Sequence, residues 1–275
     1  MVSAFVITLR EGLEAALIVG IVLGYLKRIG RHDRAAYAWA GIGAAVALSI
    51  ALAVGMRAFG AELEEPLEQI FEGTTMILAG AILTWMIFWM RYQAQFFKTE
   101  LEHQVQSAVT RGAGWGLMAL AFVAVFREGL ETAIMLAANV FAADALGTLL
   151  GAGIGAALAI VAGALLYVYA VRLDVKLFFD VSSIALIVFA AGLLAHGVHE
   201  FQEIGWLPLT SVAWDTRWLL DHDTGLGAFL RSLVGYSAKP TWLEVATYVG
   251  YWVVVVQAVR WWLAHMNARL ARERT

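Results

Sequence analysis

Hydrophobic residues run in long, nearly unbroken stretches at about 4–26, 36–58, 70–91, 114–140, 147–171, 181–199 and 242–264. A helix needs roughly 20 mostly apolar residues to cross the hydrocarbon core of a bilayer. None of the stretches reads as a soluble-core helix by length. The pattern predicts an all-α membrane protein of seven transmembrane helices, forming a single transmembrane domain over 1–275. The first stretch begins almost at Met1 without a basic region before it and is too long for a signal peptide, so it reads as a mature helix.

The polar residues between the stretches set the orientation. Thirteen Lys and Arg flank the ends of stretches one, three, five and seven, against four (Arg57, Arg217, Arg231, Lys239) on the other side. Basic residues stay cytoplasmic, so the N-terminus is expected outside and the C-terminus inside. The outer side then carries Glu62, Glu64, Glu65, Glu68, Asp144, Glu200, Glu203, Asp215, Asp221 and Asp223, a surface that attracts cations.

Composition narrows the function classes. The chain is 61% hydrophobic and 15% charged, with a mean hydropathy of +0.74. Its net charge of −3 argues against a nucleic-acid partner, and the lack of cysteine removes disulfides, thiolate metal sites and Cys nucleophiles together. Any metal chemistry must use oxygen and nitrogen ligands.

Three segments recur in the same order. Arg10–Glu14 and Arg127–Glu131 both read REGLE, 117 residues apart; AGIGAA occurs at Ala40–Ala45 and Ala152–Ala157, 112 apart. Phe71-Glu72 before Thr74-Thr75 is matched by Phe179-Asp180 before Ser182-Ser183, 108 apart. The expected organisation is repeat one at about 1–92, repeat two at about 113–203, an outer loop at about 200–240 and helix seven at about 242–264. Three helices per unit put the second unit upside down relative to the first. Such inverted repeats are a transporter signature, with the substrate site near the midplane at their interface.

On a helix, Arg10, Glu14 and Glu11 fall within about 100° of arc, as do Arg127, Glu131 and Glu128. A charge near the bilayer centre costs roughly 2.5–3.5 kcal/mol, so the two patches must face inward and meet. Four carboxylates and two guanidiniums leave a charge of −2 for a cation. The arginines pair with carboxylates in the empty state, and Gly12 and Gly129 let another helix or an ion approach. A sulfur-free site with four glutamates suits Fe(III), Fe(II) or Mn(II) better than Cu(I) or Zn. The alternative, salt bridges locking a bundle, leaves more carboxylates than two arginines need.

LREGLEAALIVG at Leu9–Gly20 and FREGLETAIML at Phe126–Leu136 resemble the oxidase-dependent iron transporters, the high-affinity iron permeases and their bacterial ferrous-system relatives, whose signature is R-E-x-x-E in helices one and four. Phe71–Met90 and Gly235–Val245 are similar to the bacterial members too, so the resemblance covers essentially the whole chain. It implies an iron permease of the cell membrane with seven helices, not an enzyme. Iron would be its substrate, with no organic cofactor. Glu11, Glu14, Glu128 and Glu131 would be the metal ligands, with Arg10 and Arg127 balancing charge. The implied partners are membrane lipid, an extracytoplasmic iron oxidase or peroxidase, and an iron-binding protein. The alternatives are a permease for another cation, such as lead or manganese, and an intramembrane metalloenzyme.

Secondary candidates flank this centre. His196, His199, Glu200 and Glu203 share one side of helix six and either pass iron to the pore or are ordinary interfacial residues. They do not form the H-E-x-x-H of a zinc protease, because the Glu follows the second His. Glu72 and Asp180, equivalent in the repeat, are either access ligands on opposite sides or caps of helix N-termini. Glu65 and Glu68, with Glu72, form an outer stripe; Asp221 and Asp223 flank His222 in the outer loop, as capture residues or as turn-formers. Trp85, Trp89, Trp252, Trp261 and Trp262 read as an interfacial belt, and Met76, Met86 and Met90 as packing.

Overall fold

In a computed structural model of the chain, the backbone is described over 1–93, 97–110, 114–142, 145–169, 175–220 and 225–273. The side chains of 61, 87–93, 97–98, 166–169, 175–181, 225, 232–233 and 262–273 lie outside the description. The side chains of Asp180, Trp89, Met90 and Trp262, and the whole of Asp221 and Asp223, thus fall outside the described residues.

The described residues form nine α-helices: α1 Val2–Arg28, α2 Ala35–Ala61, α3 Leu67–Gln93, α4 Phe97–Thr110, α5 Gly114–Ala142, α6 Ala145–Tyr169, α7 Val175–Glu203, α8 Gly225–Val234 and α9 Trp242–Glu273. The only extended pairing among them is an isolated antiparallel bridge between Val212 and Thr241. The seven long helices coincide with the seven apolar stretches. By length and composition, four segments among the described residues are apolar enough to cross a membrane: His32–Gly60, Ala145–Leu165, Ser182–Glu203 and Trp242–Trp261. Helices α1 and α5 are as long but carry the three charges of a motif in mid-helix. Apolar residues on α2, α6 and α9 point outward, including Val54, Ile160 and Val254.

The bundle is assembled in reciprocal pairs. α1 lies along α6, α2 along α5, and α3 along α7, while α1 and α5 meet each other. Small residues permit the closeness. A Cβ on Gly12 would lie 2.6 Å from the Cβ of Ala159, and one on Gly163 2.6 Å from the Cβ of Ala16, so α1 and α6 run parallel. α2 and α5 are parallel as well, with Gly41 against the carbonyl of Met118 and Gly129 against the hydroxyl of Ser49. α1 and α5 are antiparallel: Asn139 Nδ2 donates to Ser3 Oγ at 2.6 Å at one end, whereas Leu26 and Leu117 share a cluster at the other.

Two helices are absent from the periodicity reading because they are too short to span a bilayer. α4 is amphipathic. Its Leu101 and Val105 bury themselves against Val22, Leu26 and Leu117, worth roughly 1.5–3 kcal/mol each. Its polar side is tied by Tyr25 Oη donating to Gln106 Oε1 at 2.7 Å and by an Arg28–Glu102 ion pair at 2.8 Å. α8 interrupts the expected outer loop and packs on α7, with further contacts to α1 and α5.

Candidate metal site

The charges of both motifs point into the bundle. Arg10 is fully buried and Glu11 is 1% exposed; Glu128 is 6% exposed. Burying ions at this depth is tolerable only if they are paired. Arg10 Nη1 donates to Glu11 Oε1 at 2.9 Å, and its Nη2 lies 3.2 Å from Glu14 Oε1, so one guanidinium spans both carboxylates of its own helix. On α5, Arg127 Nε donates to Glu131 Oε1 at 3.1 Å, and this arginine is 40% exposed.

One buried oxygen of each motif glutamate remains without a hydrogen-bond partner, Glu11 Oε2, Glu14 Oε1, Glu128 Oε2 and Glu131 Oε2, although Glu14 Oε1 is ion-paired with Arg10. Glu11, Glu128 and Glu131 each offer a carboxylate oxygen within 4.8 Å of the others, which makes them the candidate cation cage among the described residues. Three carboxylates this close repel one another, and a cation supplies what the two arginines leave uncompensated. Glu14 stands outside this trio, held by Arg10. Three of the four motif glutamates therefore converge, while the fourth is ion-paired with Arg10.

Met86 is buried as expected of packing, yet it also takes part in the charged site. Its Sδ accepts from Arg10 Nη1 at 3.3 Å. A methionine at helical spacing gives no sign of this in sequence. Glu11 and Glu128 also border a cavity of about 690 Å³ between α1, α2, α5 and α6, whose other walls are almost entirely apolar, among them Val46, Ala156 and Ile160.

The secondary candidates divide. Glu72 is the sixth residue of α3, which begins at Leu67, so Glu68 is the acid of the first turn and Glu72 does not cap the helix. Asp180 is likewise the sixth residue of α7. Glu72 stands within electrostatic reach of Glu68, Glu200 and Glu203, where α3 and α7 approach at Gly73 and Gly197. Glu65 is exposed.

The two histidines have different partners. His196 Nδ1 is 2.9 Å from the carbonyl of Gly192. His199 is bracketed by Glu244 at 3.0 Å and Glu203 at 3.3 Å. Glu244 itself was not anticipated. Its signal is present in the sequence as Thr241-Trp-Leu-Glu244, a capping box in which Glu244 Oε1 accepts from the Thr241 N–H at 3.1 Å and the Glu244 N–H donates to Thr241 Oγ1 at 3.3 Å. Among the tryptophans, Trp85 and Trp261 are exposed, while Trp252 packs against the core instead of the interface.

Comparison with known proteins gives the family. The iron permease FTR1 family profile matches residues 1–270. The "Ferrous iron permease EfeU" of Escherichia coli O6:K15:H31 (strain 536 / UPEC) is 37% identical over 261 residues, 94% of this chain and 95% of that protein. The protein of the same name from Yersinia pestis is 37% identical over 254 residues, 91% of this chain and 90% of that protein. No solved structure matches the chain. With a family match over nearly its whole length and relatives covering nine-tenths of it, this chain, an integral membrane transporter and not an enzyme, belongs to the iron permease FTR1 family.

Proposed function

We propose that the protein carries iron inward across the cell membrane, binding the ion on Glu11, Glu128 and Glu131. Glu14 completes the carboxylate set through Arg10, and Arg127 balances the second motif. The observation that carries this reading is the convergence of three buried carboxylates from two helices, each with an oxygen left unpaired. Family membership and the names of the relatives support iron as the cargo. A ligand set of hard carboxylate oxygens favours Fe(III) at the central site. Iron arriving as Fe(II) would give up one electron at the outer face to an extracytoplasmic oxidase or peroxidase, after delivery by an iron-binding protein. The word "ferrous" in the relatives' names favours a second reading, in which Fe(II) itself passes.

The arrangement behind this is two inverted repeats of three helices, α1–α3 and α5–α7, followed by α9, giving seven spans with the N-terminus outside. Antiparallel α1 and α5 support it. So does the register of contact: Met1 lies on Gly151 as Met118 lies on Gly41, and Gly12 meets Ala159 as Gly129 meets Ser49. Glu65, Glu68, Asp221 and Asp223 collect cations at the outer face. Glu72, Glu200 and Glu203, with His196 and His199 beside them, lead inward, and Asp180 receives the ion for release. The apolar walls of the cavity beside Glu11 and Glu128 leave the α3–α7 side as the ion's approach. Three positive charges moving inward gain about 7 kcal/mol per 100 mV of inside-negative potential, enough to drive uniport.

Purified protein in liposomes, supplied outside with radioactive iron as Fe(III) citrate or as Fe(II) with ascorbate, tests the reading. Potential-driven accumulation is expected, abolished by Glu128→Gln; equal accumulation in that variant would sink it. Accumulation from only one of the two iron sources decides the oxidation state.

A further inference from the structure

Helix α8 turns the segment between α7 and α9 back into the bundle, onto α7 and onto the two motif-bearing helices α1 and α5. Its inner end is fixed glycine against glycine. Gly235, at φ +70°, closes the helix with its N–H on the Arg231 carbonyl at 3.1 Å, and the following Tyr236 N–H reaches the Leu230 carbonyl at 3.3 Å. A Cβ on Gly192 would lie 2.6 Å from Gly235 Cα, so neither position tolerates a side chain. Gly192 sits about three turns before α7 ends at Glu203, so the tip of α8 lies on the order of 16 Å in from that end.

Arg231 occupies the last turn of this inserted helix. Its Nε is shut away from solvent, and its charge acts on His196 and Glu200 of α7. The same mouth holds Glu68 and Glu72 from α3, Glu203 from α7 and, through His199, Glu244 from α9. A guanidinium carried this far into an acidic passage repeats at the mouth what Arg10 and Arg127 do at the centre. An anchor for α8 needs no charge, since glycine packing already supplies one.

We propose that Arg231 is the charge-balancing residue of the outer passage, neutralising Glu200 and its neighbours until an incoming cation displaces it. The inference rests on the uptake reading above. Displacing the guanidinium costs the same whatever ion arrives, whereas the gain grows with the ion's affinity for carboxylates. The exchange therefore weakens every cation by the same factor and leaves the ratio of affinities unchanged, so that a weak carboxylate binder such as Ca(II) falls below occupancy at concentrations where iron still binds.

The experiment is the liposome assay with radioactive iron in both forms, with Ca(II) as competitor. Arg231→Gln is expected to lower the KM for iron by roughly tenfold and to make Ca(II) inhibitory at roughly tenfold lower concentration, with maximal flux within about twofold of wild type. Arg231→Lys keeps the charge and should keep both wild-type values. An unshifted KM in Arg231→Gln overturns the proposal, as does Arg231→Lys behaving like Arg231→Gln. Reduced maximal flux at wild-type KM in both variants also overturns it, showing a strut. Should the glutamine variant fail to reach the membrane, Arg231→Met fills the same space without charge and is held to the same KM criterion. No uptake by wild-type protein would defeat the transport reading itself; wild-type uptake with an unshifted KM defeats only the role of Arg231.

Discussion

Arg10 donates through Nη1 to the sulfur of Met86 at 3.3 Å, a contact between residues 76 positions apart that places a thioether against the most deeply buried charge of the protein. The same nitrogen holds Glu11. Met86 and Glu11 therefore share one nitrogen of the guanidinium.

Replacing Met86 by Leu keeps the volume and removes the acceptor. The expected cost is about 1 kcal/mol, the worth of one modest hydrogen bond, whereas Met86→Ala should cost roughly 2–5 kcal/mol through the cavity it opens. Thermal unfolding in detergent measures both. No loss in Met86→Leu, with the full loss in Met86→Ala, would show that Met86 only fills space.

The glutamates should not be equivalent. Glu11→Gln, Glu128→Gln and Glu131→Gln each remove a member of the converging trio, and iron binding by equilibrium dialysis should fall by at least about a hundredfold. Glu14 lies outside the trio and is ion-paired with Arg10, so Glu14→Gln is expected to abolish flux while weakening binding by no more than about tenfold. Unimpaired binding in Glu128→Gln would place the site elsewhere.

The two arginines differ as well. Arg10 spans Glu11 and Glu14 with separate nitrogens in a buried setting, which an ammonium cannot imitate. Arg127 holds Glu131 through Nε from a half-exposed position. Both lysine variants should lose uptake, but Arg10→Lys should also lower the unfolding temperature by several degrees more than Arg127→Lys. The reverse order would mean that the pairing geometry does not govern stability.

Helix contact at the motif glycines is open to a rescue test. Gly129→Ala drives a methyl group into the Ser49 hydroxyl and should destabilise by roughly 1–3 kcal/mol. Adding Ser49→Gly should recover most of that loss. Failure of the double variant to recover would mean that the glycine matters for backbone freedom and not for the approach of α2.

How much was legible in the sequence depends on whether the signal was local. Length and apolarity alone marked all seven long helices, because a long apolar run is a local signal, and four segments among the described residues are apolar enough to cross a membrane. The doubled REGLE motif likewise marked Arg10, Glu11 and Glu128 as buried, since hydrocarbon leaves a charge few other places to go, whereas Arg127 stays 40% exposed. Local amphipathicity was present in α4, and the capping box was written in Thr241–Glu244, but neither is long enough to stand out beside a membrane span.

What only the tertiary structure decided is which residues meet. That Glu11, Glu128 and Glu131 form one cage while Glu14 is drawn off by Arg10, that Met86 touches the guanidinium, and that Gly235 carries Arg231 inward against Gly192 all join segments dozens of residues apart. Helical period fixes the side on which a residue stands. The distance at which it meets another helix is set by packing, here by which glycines and alanines let two backbones close to van der Waals contact.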